Sequence, residues 1–165
     1  MKEDFHVDLS GCFFQKGDTG IACVGAITKN HIGCLIKSNA KDKIRKNLFI
    51  GKKEGEEYAK LYAICIFYLI KDFIKDIKTL IVCNDENFDY VKLYLQELVT
   101  TCPFEIINIT EFKKKLGRNV KSLADNKSKA YRKRGDKPNR AKQGQPLNLV
   151  KLDYTTIETI WNQLK

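Results

Sequence analysis

The chain has 165 residues, 43% of them hydrophobic, with 30 Lys+Arg against 20 Asp+Glu and a formal net charge of +10. That apolar share excludes wholesale disorder, and the length argues for one domain over residues 1–165. The charge is uneven: Lys113 to Lys142 holds thirteen basic residues against Asp125 and Asp136, a local balance of +11 that leaves −1 for the rest. A near-neutral globule with one basic segment, 113–144, points to a polyanionic partner, nucleic acid before an acidic membrane surface.

In chain order, Phe5, Val7 and Leu9 alternate with His6, Asp8 and Ser10, a half-buried strand ending at Gly11 with Asp8 opposite the apolar set. Ile21–Thr28 and Gly33–Lys37 read as two further strands, and short polar turns make the three an antiparallel meander. After Gly51, Tyr58, Leu61, Tyr62, Cys65, Ile66, Leu69, Ile70 and Phe73 recur at three- and four-residue steps, a helix with one broad buried face and with Glu54, Glu56 and Glu57 at its start. Lys78–Cys83 is an apolar run suited to a central strand covered on both faces. Asn84-Asp85-Glu86-Asn87 follows, and then Phe88, Val91, Leu95 and Leu98 give another helix.

Phe104–Ile109 predicts a fifth strand, and Thr110 a cap for a short helix that Gly117 stops. Val120–Arg134 is a further helix, Gly135–Asn148 a loop, and 153–164 a C-terminal helix opened by a Thr155…Glu158 capping box. A meander followed by strand-helix-strand-helix-strand is an α/β fold with one mixed sheet and helices on its faces. Cys12, Cys23, Cys34, Cys65, Cys83 and Cys102 are scattered singly, as in small buried hydrophobes of a reducing cytosol. MKEDFHVDLSG contains no apolar leader, and Leu61–Ile70 is too short to span a bilayer, so a cytoplasmic, intracellular protein is expected.

A carboxylate in the middle of a first, central strand costs several kcal/mol to bury unpaired, which singles out Asp8. If the first and fourth strands are neighbours, Asp8 and Asp85 lie side by side, and a glutamate from the start of the helix above them completes three acids. Such a group repels itself unless a cation intervenes. Oxygen donors with vacant positions suit Mg²⁺, with Mn²⁺ as substitute, and two such ions roughly 3.5–4 Å apart promote phosphodiester hydrolysis.

Asp8, Ser10 and Gly11 on the first strand, Glu57, Tyr58, Leu61 and Ala63 on the first long helix, Asp85 after the fourth strand, and Ser122-Leu123-Ala124-Asp125 followed by Ala130 together resemble the ribonuclease H-like superfamily. The resemblance implies a five-stranded sheet ordered 3-2-1-4-5 with the second strand antiparallel. It also implies Asp8, Glu57, Asp85 and Asp125 as catalytic ligands of two Mg²⁺ ions. The expected activity is that of a nuclease, foremost on RNA in an RNA–DNA hybrid, with a structure-specific DNA endonuclease or an inactive nucleic-acid-binding module of the same fold as alternatives. Lys121, Lys127, Arg132, Lys133, Arg134 and Arg140 are the residues expected to hold the nucleic-acid backbone. Glu54 or Glu56 competes with Glu57, because a step of about 100° per residue decides which points inward. Asp153 competes with Asp125. With only His6 and His31 in the chain, a histidine loop shortly before the last carboxylate is missing, and Lys121 stands where such proteins commonly carry Asn.

Overall fold

A computed structural model describes residues 1–51, 54–135 and 147–164. The strands β1 (Glu3–Ser10), β2 (Thr19–Gly25) and β3 (His31–Ile36) form the expected meander. Then come α1 (Ser38–Leu48), α2 (Glu54–Ile70), β4 (Ile77–Val82), α3 (Phe88–Leu98), β5 (Glu105–Asn108), α4 (Ile109–Leu116), α5 (Asp125–Arg134), β6 (Leu149–Lys151) and α6 (Tyr154–Trp161). The sheet has six strands, not five, in the order β5-β4-β1-β2-β3-β6. Strand β1 is antiparallel to β2 and parallel to β4, and β5 and β6 extend the edges in parallel pairings with β4 and β3. The protein is thus a mixed α/β fold with helices on both faces.

The two faces differ in what covers them. Phe5, Val7, Leu9, Ile21 and Cys23 share the main core with Tyr62, Cys65 and Leu69 of α2, Leu95 of α3, Ile44 of α1 and Trp161 of α6. On the opposite face, Ala22 and Val24 meet Ala124 and Tyr131, and Ile81 and Ile107 meet Ile109 and Phe112. Helix α5 lies almost on the sheet backbone there. A Cβ at Gly20 would fall 2.5 Å from the Ser128 carbonyl oxygen and against the Arg132 amide, so only glycine admits this approach. The Tyr131 hydroxyl ties the helix down: it meets His31 Nδ1 at 2.9 Å, donates to the Asn148 carbonyl at 3.1 Å and accepts from the Asn148 amide at 2.8 Å.

Four local expectations change. Helix α1, not foreseen, has only Lys41, Ile44 and Leu48 buried, too few apolar positions to register as periodic. Helix α4 is capped by Asn108, whose side chain accepts from Glu111 N–H, rather than by Thr110, while Gly117 ends it in the left-handed region at φ 69° as expected. The helix predicted from Val120 starts at Asp125. Asp153, not a Thr155…Glu158 box, caps α6, accepting from the Thr156 amide at 2.9 Å and its hydroxyl at 2.8 Å. Among the described residues no helix is long and apolar enough to cross a membrane.

Candidate metal centre

Pairing fixes the side on which Asp8 stands. Asp8 lies opposite Ala22 on β2, and paired residues point to the same side, so its carboxylate belongs to the α5 face with Ala22 and Ala124. The ladder between β1 and β4 runs Phe5 to Leu80, His6 to Ile81 and Val7 to Val82, and the Cys83 amide donates to the Val7 carbonyl at 3.1 Å. Cys83 is therefore beside Asp8, and Asp85 follows where β4 gives out. The donor atoms of Asp8, Cys83 and Asp85 all lie within 4.8 Å of one another. This is the C-terminal edge of two adjacent parallel strands, where an open α/β sheet exposes a ligand crevice.

Asp8 is buried, 7% exposed, and its Oδ1 accepts from the Leu9 amide at 2.8 Å. Burial first, and then the hydrogen bond and charge of Asp85, lift its carboxyl from 3.8 to about 7. Below that pH the buried Asp8 holds its proton. Burial and the charge of Asp8 also push the Cys83 thiol up, so it stays neutral, and the Ser122 side chain hydrogen-bonds it from the segment leading into α5. The charged donors are then oxygens, which favours a hard divalent cation over a soft one.

No family model, curated protein or solved structure matches this chain.

The structure brings Asp8 and Asp85 together as the sequence leads one to expect, but not the α2 glutamates. Helix α2 covers the other face of β1, and Glu57 is outside the cluster around Asp8. Glu57, 3% exposed, lines a cavity of about 250 Å³ with Ile50, Lys60, Tyr94 and Trp161. Glu56 accepts from the Tyr94 hydroxyl at 2.8 Å. The side chain of Glu54 is outside what the structure describes. Asp125 stands at the first turn of α5, and Lys121 and Lys129 reach it at 2.9 and 3.2 Å. The hydrogen bond from Lys121, with Lys129 adding to it, holds its carboxyl below the ordinary range. Asp125 is thus engaged with lysines and not gathered with Asp8 and Asp85. Asp153 acts as the α6 cap.

The basic residues divide similarly. Lys129, Arg132 and Lys133 line a cavity of about 400 Å³ with Ser10 and Asp18. Ser10 is two residues beyond Asp8 on the same face of β1, which puts this basic hollow next to the acids. Arg132 Nε donates to the Asp18 carbonyl at 2.9 Å, which fixes the guanidinium. The Asp18 carboxylate is itself turned to the Ser38 amide at 2.8 Å and to Lys37 at 3.5 Å, so positive charge dominates the hollow. Lys121 pairs with Asp125, Lys127 approaches His31 closely enough to depress that imidazole after burial has done so, and Arg134 is in the last turn of α5. Arg140 lies outside the described residues.

Two residues near the site carry no sequence signal. Lys41, 2% exposed, donates from Nζ to the carbonyls of Cys12, Gln15 and Gly17 at 3.1, 2.8 and 2.9 Å, binding the β1–β2 loop into shape beside the crevice. Glu86, 9% exposed, follows Asp85 directly. A larger cavity of about 480 Å³, lined by Glu3, Phe5, Cys23, His31 and Phe73 among others, is at the opposite, N-terminal end of β1 and away from the carboxylates.

Proposed function

We propose that the protein is a metal-dependent nuclease of ribonuclease H-like type, hydrolysing phosphodiester bonds with a divalent cation, Mg²⁺ or Mn²⁺, held by Asp8 and Asp85. The observation that carries the reading is the convergence of these two carboxylates, the buried Asp8 of β1 and the exposed Asp85 at the end of β4, at one strand edge. The central strand run β3-β2-β1-β4-β5, with β2 antiparallel, supports the likeness of fold, with β6 as an addition at the β3 edge.

Each part of the chain has a task in this chemistry. Asp8, oriented by the Leu9 amide, would be the buried ligand of the cation. Asp85, exposed at the strand end, meets substrate and cation from the solvent side. Lys129, Arg132 and Lys133 hold a phosphate of the nucleic-acid backbone in the adjoining hollow, with Arg132 already aligned by Asp18. A cation in that position supplies Lewis acidity toward the phosphoryl oxygen and a water acidified for attack. RNA in an RNA–DNA hybrid is the leading substrate.

A substrate panel of hybrid, duplex and branched nucleic acids with Mg²⁺, Mn²⁺ or EDTA tests the proposal. Cleavage that needs the cation and vanishes in Asp8→Asn and Asp85→Asn is expected. Preference for branched DNA marks a junction-type endonuclease. Salt-sensitive binding without cleavage of any substrate refutes the enzyme and leaves a nucleic-acid-binding module of the same fold.

A further inference from the structure

The face of the sheet opposite Asp8 carries a separate cavity of about 250 Å³ among α2, α3 and the end of α6. Its inner wall is built from buried groups: Glu57 and Lys60 of α2, Tyr94 of α3, and Trp161 and Leu164 are each more than nine-tenths buried. Ile50, 80% exposed, and the exposed Asn162 stand at its mouth, so the cavity opens to solvent. Phe49 stacks on Trp161 with ring centroids 5.5 Å apart, which holds the indole in place.

Two of the polar wall groups have partners of their own. The Tyr94 hydroxyl donates to Glu56 at 2.8 Å. Lys60 Nζ donates to the Leu164 carbonyl at 3.4 Å and lies over the rings of Trp161 and Tyr94, 4.3 and 5.9 Å from their centroids. Glu57 is different. Its Oε2 has no hydrogen-bond partner among the described residues, although Lys60 is one helical turn away on the same wall.

A buried carboxylate oxygen without a donor is costly, and a donor that enters from the cavity removes the cost. The charge of the acceptor decides which donor suits it. An anion is repelled by Glu57, an apolar molecule leaves Oε2 as it was, and a neutral hydroxyl brings no opposite charge. A primary ammonium brings three donors and the opposite charge, which makes the stronger bond. Leu164 and the rings of Tyr94 and Trp161 suit a short alkyl chain behind it. The volume lies below the roughly 300–1,000 Å³ of pockets for drug-sized ligands, so the occupant is small.

We propose that this cavity binds a small primary alkylamine, with Glu57 accepting from the ammonium and Tyr94, Trp161 and Leu164 enclosing the alkyl chain. The inference is independent of the nuclease reading. It gives the α2 glutamate that sequence alone assigns to a metal a different ligand.

Trp161 is the single tryptophan of the chain, so its fluorescence reports on the cavity directly. Titration of the full chain with n-butylammonium chloride at constant ionic strength is expected to give a saturable change at millimolar concentration, a range open to a ligand of about five non-hydrogen atoms. n-Butanol and butyrate over the same range should give none. Glu57→Gln is expected to weaken n-butylammonium binding roughly tenfold or more, the loss of one charged hydrogen-bond partner, and Glu57→Asp to recover part of it. Urea unfolding shows whether each variant is folded, and where Glu57→Gln is not, the comparison of the three compounds on the parent decides alone. The proposal is overturned by the lack of a saturable signal with the amine, by equal binding of n-butanol, by tighter binding of butyrate, or by unchanged affinity in folded Glu57→Gln.

Discussion

Asp8→Asn is expected to stabilise the metal-free protein at pH 8 and to do nothing comparable near pH 4. In the folded chain, burial and the neighbouring Asp85 raise the Asp8 carboxyl from 3.8 to about 7. Between those two values the folded state holds a proton that the unfolded state has released. Stability therefore falls as pH rises through the interval, and the whole penalty is present above about pH 7. At about 1.4 kcal/mol per pH unit the interval is worth ~4 kcal/mol. Solvent at the exposed Asp85 side screens the pair and roughly halves this, to ~2 kcal/mol. Asparagine keeps the shape, its Oδ1 continues to accept from the Leu9 amide, and its amide donates to Asp85. Urea unfolding in EDTA at pH 8 should give the variant ~2 kcal/mol more stability, shrinking to within about 0.5 kcal/mol near pH 4. Divalent cation should then stabilise the parent at pH 8 and leave the variant unmoved. A variant less stable than the parent at pH 8, or a difference independent of pH, refutes the argument that Asp8 is a buried acid strained by Asp85.

Lys41→Met should cost about 3 kcal/mol in chemical denaturation, because three carbonyls of the β1–β2 loop are deprived of a charged donor that no water replaces; a cost below about 1 kcal/mol contradicts that bracing role. Gly20→Ala should destabilise by about 2 kcal/mol and weaken nucleic-acid binding together, since the new Cβ meets Ser128 and Arg132 backbone that cannot yield, and a neutral effect on both measurements denies the close seat of α5. Arg132→Ala with Lys133→Ala should lower affinity for duplexes of any sequence and flatten the log–log salt dependence by roughly 0.9 for each phosphate no longer neutralised. An unchanged slope in fluorescence-anisotropy titrations removes the basic hollow from the interface.

Much of the fold was legible because it is written in local pattern. The alternation around Val7, the long period of α2 and the apolar run before Cys83 each declare an element, and their order limits the topology. Helix α1 and strand β6 escaped for the same reason in reverse: one buries a lysine among its three core positions, and the other has three residues. Asp8 was legible because a carboxylate at mid-strand violates the pattern around it, and Asp85 because it ends a central strand.

The sequence by itself determined the concentration of positive charge, the α/β order of elements and one aspartate within the first strand and one after the fourth. Only the tertiary structure decided what joins them. A glutamate at the start of α2 was the natural third acid while the face of β1 covered by that helix was unknown. Strand pairing turns Asp8 to the α5 side, with Val7 and Leu9 toward α2, so Asp8 meets Cys83 and Asp85 while Glu57 goes to a separate cavity. Asp125 likewise looked like a lone acid among cations, and i,i+4 spacing on a folded helix gives it Lys129, with Lys121 reaching from the preceding turn. Residue type and spacing are properties of the chain, whereas the side of a sheet on which a carboxylate stands is fixed by the ladder hydrogen bonds of its neighbours, and a single residue of register reverses it.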